Sequence, residues 1–109
     1  QLYLVLTKQW FTEILEGRKT EEFRDFTDFY INRLCELNEE GEIIDTKKYD
    51  TVKFQMGYSK NAPQMIVEIK DIIIETDEEV DLENGDLLTT ENCNFTILLG
   101  KILEKINID

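Results

Sequence analysis

Lys19, Glu22 and Arg24 fall within six residues of one another in Gly17-Arg18-Lys19-Thr20-Glu21-Glu22-Phe23-Arg24. An ammonium, a carboxylate and a guanidinium converging at the mouth of a small fold can hold a polar, nucleotide-like ligand. Arginine offers a planar fork to phosphate or a base edge, and lysine offers a compact charge. On an extended backbone Thr20, Glu22 and Arg24 share one face while Lys19, Glu21 and Phe23 share the other, which sends Phe23 to the core. The plainer alternative is a rim ion pair that only steadies the strand. Tyr58, Lys60 and Asn61 form a second candidate group, an aromatic face beside two polar hands, suited to stacking on a base and reading it. For these three the alternative is simply a turn.

The rest of the chemistry is narrowed by what the chain lacks. Histidine is absent and the two cysteines, Cys35 and Cys93, stand far apart, so neither the usual zinc spacings nor a Ser-His or Cys-His pair can be built. Both cysteines are expected to be reduced and partly buried. Asp77, Glu79, Asp81, Glu83 and Asp86 crowd one stretch, yet glycine and glutamate are misplaced for a twelve-residue calcium loop, so a solvated loop is expected there. No metal and no cofactor is expected.

The formal charge of -12 argues against nonspecific nucleic-acid binding, which requires a basic surface. Residues 1–60 carry nine Lys or Arg against twelve Asp or Glu, whereas residues 61–109 carry three against twelve, so an anion site belongs in the first half. The acidity also suits a protein-interaction adaptor with a basic partner. At 109 residues and 41% hydrophobic content, one domain spanning 1–109 is expected. No apolar run approaches the roughly 18 residues of a membrane span, and the first residues lack the basic flank of a signal peptide. A soluble, cytoplasmic protein without membrane contact is the expectation.

The elements that must position these groups follow from periodicity. Leu2 to Leu6 is a continuous apolar run of the kind a covered strand shows. Thr7 is placed to cap a first helix over residues 8–16, with Trp10, Phe11, Ile14 and Leu15 at helical spacing and Gly17 at its end. Thr27 precedes a second helix over residues 28–38, with Phe26, Tyr30, Leu34 and Leu37 as its stripe. Trp10 and Phe11, like Phe26, Phe29 and Tyr30, are expected in the core. Residues 39–48 read as an exposed connection with a short strand at Ile43-Ile44.

Val52, Phe54 and Met56 alternate with Thr51, Lys53 and Gln55 as a half-buried strand does, and Gly57 to Pro63 reads as the following loop. Residues 65–75 change phase between Ile69 and Ile72, which suggests a bulge near Lys70-Asp71. Phe95, Ile97 and Leu99 form a last strand, bent or ended near Gly100. Together these predict an α+β fold with a small bent antiparallel β-barrel and two helices in the N-terminal half.

The whole chain also resembles the ASCH domain family, a group similar in fold to the PUA domains of RNA-modifying enzymes. The likeness runs through Leu2-Tyr3-Leu4-Val5-Leu6, Trp10-Phe11, Ile14 to Arg24, Val52-Lys53-Phe54, Gly57-Tyr58, Asn61-Ala62-Pro63 and Leu99-Gly100-Lys101-Ile102. Its core is the G-x-K-T-x-E-x-R pattern of Gly17 to Arg24. The resemblance implies a PUA-like barrel whose polar cleft binds single-stranded RNA or a nucleoside or nucleotide, with Lys19, Glu22 and Arg24 close together. Some members of the family deacylate N4-acetylcytidine with a lysine, a threonine and a glutamate. Lys19 matches that lysine, but Glu22 stands at the threonine position and Thr20 points away from Lys19 in a regular strand. A binding module is therefore the first expectation. An amidohydrolase or ribonuclease using Lys19 and Glu22 as base and acid is the alternative.

Overall fold

The apolar run at the start of the chain forms a strand covered chiefly on one face, since Tyr3 on the other is exposed. Leu2, Leu4 and Leu6 are buried in β1 (Leu2–Leu6), and Val5 is half-buried between them. The computed structural model describes residues 1–108, and the elements after β1 run in the order α1 (Lys8–Leu15), β2 (Glu21–Asp25), α2 (Asp28–Leu34), β3 (Cys35–Leu37), β4 (Ile43–Thr46), β5 (Thr51–Met56), β6 (Gln64–Thr76) and β7 (Cys93–Ile106). A short 3-10 turn at Leu82–Asn84 interrupts the acidic loop between β6 and β7. The fold is α+β. One sheet has the strand order β1-β5-β6-β7-β2, and β3 pairs with β4 in a separate two-stranded ribbon.

The chain divides into two compact units, each assembled from separated segments, and β2, β6 and β7 contribute residues to both. The first unit holds residues 1–22, 49–71 and 98–109. Here β1 runs parallel to β5, with Leu2 opposite Val52 and Leu4 opposite Phe54. The expected all-antiparallel sheet is thus corrected to a mixed one. A parallel pair needs a long crossover, and α1, β2, α2 and the β3–β4 ribbon are the chain that fills it. β5 and β6 pair antiparallel as expected, with Phe54 opposite Met65, and Gly57 and Asn61 take left-handed backbone angles in the loop between them. Phe11 and Ile14 of α1 are buried together with Leu2, Leu4, Val52, Phe54, Met65 and Val67.

The second unit holds residues 23–48 and 72–97. Its core is built on Phe26, Leu34, Ile72, Phe95 and Ile97, and the rings of Phe26 and Phe95 lie 5.2 Å apart. Helix two is four residues shorter than periodicity suggests, since the stripe ends at Leu34 and Cys35–Leu37 turns into β3. Leu37 keeps helical spacing from Leu34, but pairing with β4 satisfies the same backbone groups that another helical turn would have used. Thr27 caps α2 by accepting from the Tyr30 amide. Cys35 and Cys93 are free and buried, and burial raises both thiols above their ordinary value.

Two long strands depart from their expected limits. β6 is unbroken from Gln64 to Thr76, although its burial alternation changes phase at Lys70 and Asp71, both exposed, as the sequence pattern indicated. β7 passes through Gly100 and ends only at Ile106. Among the described residues no helix is long and apolar enough to cross a membrane.

Candidate functional site

The end of α1 sets Lys19 in place. Gly17 adopts a φ of 78°, the left-handed value that stops a helix, and the backbone amides of Arg18 and Lys19 then turn back to donate to the Glu13 carbonyl at 3.0 and 3.1 Å. Thr7 occupies the N-cap position without a side-chain capping bond, so α1 is closed more firmly at its C-terminal end. Arg18 folds back along the helix to Glu13, at 2.8 Å, and to Glu16. The Arg18 guanidinium holds the Glu13 carboxyl below the usual carboxylate range. On the far side of Lys19, the Thr20 carbonyl accepts from the Leu99 amide at 2.9 Å, which ties the segment to β7.

Lys19 and Glu22 do come together. Lys19 Nζ donates to Glu22 Oε1 at 2.9 Å, and the two side chains are only 17% and 4% exposed. The ammonium also lies 4.3 Å from the centre of the Trp10 ring. A desolvated carboxylate is tolerated where an opposite charge and good geometry compensate it, and here a π-face holds the ammonium in register. This arrangement reverses two expectations. Phe23 is 49% exposed while Glu22 is buried, so the alternation of β2 is right and its core face is the polar one. Trp10 is 44% exposed rather than a core residue, because its ring serves Lys19.

Beside the pair lies a recess of about 310 Å³ in the first unit, lined by Ile14, Gly17, Lys19, Thr20, Val67, Leu99, Gly100, Lys101 and Ile102. Its walls are mostly apolar, with Lys19 and Lys101 as cations. The Glu68 side chain packs over Gly100 in the space that a Cβ there would fill. Trp10 was expected in the core, and neither Lys101 nor Glu68 was a candidate site residue in the sequence. Trp10 could have been found from its position nine residues before Lys19 on a helix that ends at Gly17. Lys101 and Glu68 carry no local signal, because only tertiary packing brings Lys101 to the recess and Glu68 onto Gly100.

Arg24 belongs to the second unit. There its Nη1 donates to the Phe23 carbonyl at 2.9 Å and its guanidinium carbon sits 5.8 Å from the centre of the Tyr30 ring. Tyr58, Lys60 and Asn61 are all exposed in the β5–β6 loop, with Tyr58 at 87%, and none of them lines the recess. Thr20 is exposed at the recess and is fixed through its backbone. No cluster of three or more metal-ligating side chains occurs among the described residues.

No protein-family model, no curated protein and no solved structure matches this chain.

Proposed function

We propose that the chain is an RNA- or nucleotide-binding domain of the ASCH type with a PUA-like bent barrel, and that the recess beside Lys19 and Glu22 receives a nucleoside unit. The observation that carries this reading is a charged pair withdrawn from solvent at the edge of a mostly apolar recess. A base can rest on the apolar side chains of Ile14, Val67 and Leu99, while Lys19 and Lys101 supply ammonium groups for a phosphate. Lys19 is already matched by Glu22, so in a chain of net charge -12 Lys101 is the recess cation that adds attraction for an anionic ligand. Thr20 borders the recess, and Tyr58, Lys60 and Asn61 serve only as contacts to a longer strand.

Binding is favoured over deacylation because the position that hydrolytic relatives fill with threonine holds a carboxylate already bonded to Lys19. Calorimetric titration with uridine and cytidine 5′-monophosphates in low salt tests the reading. Saturable binding that Lys101→Ala weakens is expected, whereas absence of saturation with every nucleotide would refute it. Incubation with N4-acetylcytidine, followed by chromatography, tests the enzymatic alternative, and product formation lost in Lys19→Gln would establish it instead.

A further inference from the structure

The charge available inside the recess is smaller than its two lysines suggest. Lys19 is bonded to Glu22 at 2.9 Å, and that carboxylate is only 4% exposed, so a ligand that drew the ammonium away would strand a buried charge. Lys19 can still donate a hydrogen bond, but its charge is already matched. Lys101 differs. It is exposed, and among the described residues its side chain forms no hydrogen bond or ion pair. It is also one of only three Lys or Arg in residues 61–109, which carry twelve Asp or Glu. Glu68, packed over the neighbouring Gly100, forms no ion pair among the described residues either, and so leaves a negative charge beside that glycine.

A ligand's total charge is what this arrangement discriminates. The walls of Ile14, Val67, Leu99 and Ile102 suit an uncharged base and sugar, and a volume of about 310 Å³ lies at the small end of ligand pockets, with room for one nucleoside unit. A phosphate monoester carries close to two negative charges at neutral pH, whereas a phosphodiester carries a single one. Lys101 alone balances the diester. Every further charge meets Glu68 and the field of a chain of net charge -12. Resting on the nucleotide-binding function proposed above, we infer that the recess selects a nucleoside held in a phosphodiester, as an internal nucleotide of a strand is, over free nucleotides with terminal phosphates.

Calorimetry in low salt at about pH 8, where a phosphate monoester is fully ionised, compares uridine, uridine 5′-methyl phosphate, uridine 5′-monophosphate and uridine 5′-triphosphate. The methyl ester, a diester of single charge, is expected to bind most tightly and the triphosphate most weakly of the three charged ligands. Lys101→Ala changes an exposed position, and circular dichroism verifies that the variant is folded. It should lower the affinity for the methyl ester about fivefold, the effect of one exposed ion pair, and so bring it to that of uridine. Lys101→Arg should retain the parent's affinity. Affinity that stays level or climbs with each added charge from ester to triphosphate would overturn the selection while leaving nucleotide binding intact. A methyl ester affinity unchanged in Lys101→Ala would do the same. No saturation with any of the four would refute nucleotide binding itself, and the selection with it.

Discussion

Lys19 and Glu22 form a hydrogen-bonded ion pair that is largely shielded from water, at 2.9 Å, with the Trp10 ring beside the ammonium. The pair is a structural commitment as well as a candidate binding group. Removing one partner strands the other charge, whereas replacing both with apolar groups removes the desolvation cost altogether. Lys19→Ala should therefore lower unfolding stability by about 3 kcal/mol, and Lys19→Met with Glu22→Leu should come much closer to the parent. Urea unfolding of the single and double variants measures the difference, and additive losses would contradict the coupling.

Trp10 is the only tryptophan, so its emission reports on Lys19 without labelling. Lys19→Gln removes the cation from the ring and should change the emission intensity in the folded protein. Nucleotide entering the recess should do so in the parent. An unchanged spectrum in both cases would mean that the ring and ammonium are not held together in solution.

Gly17 ends α1 at a φ of 78°, and no atom stands within 4 Å of where its Cβ would be. Gly17→Ala is thus a purely backbone perturbation and should cost about 1 kcal/mol. Gly100 presents the opposite case, because a methyl group there meets the Glu68 side chain. Gly100→Ala should destabilise the fold, and adding Glu68→Ala should restore most of the loss, as thermal unfolding of the three variants can show.

Burial raises the Cys35 and Cys93 thiols above the ordinary value of 9.0, with nearby Asp45 and Asp77 adding to the effect and Lys47 opposing it at Cys35. The folded state therefore keeps its protons where the unfolded chain has begun to lose them. Stability from this source is complete below about pH 9 and falls as pH rises through the raised folded values. Cys35→Val with Cys93→Val should flatten the decline seen as pH rises above 9.0, as measured by urea midpoints relative to the parent. Both thiols should also react slowly with a disulfide reagent until the protein unfolds.

Local pattern carried much of this architecture. The apolar run of β1, the helical spacing of Phe11 and Ile14, the stop at Gly17, the Thr27 cap, the alternation of Val52 and Phe54 and the phase change at Lys70 all reflect forces acting within a few residues. The closeness of Lys19 to Glu22 is of the same kind, since one turn and a short extended segment are enough to join them.

Choice of face and of partner was decided elsewhere. Alternation shows that Glu22 and Phe23 point oppositely, but only packing decides that the carboxylate goes inward, where Lys19 compensates it. Leu34 and Leu37 fit a helix until β4 offers Cys35–Leu37 a strand to pair with. The parallel pairing of β1 with β5, the arrival of Lys101 at the recess and the packing of Glu68 over Gly100 join residues tens of positions apart. Sequence spacing fixes what neighbours along the chain can do, whereas contacts between distant segments depend on the free energy of the whole packed arrangement, which no short window contains.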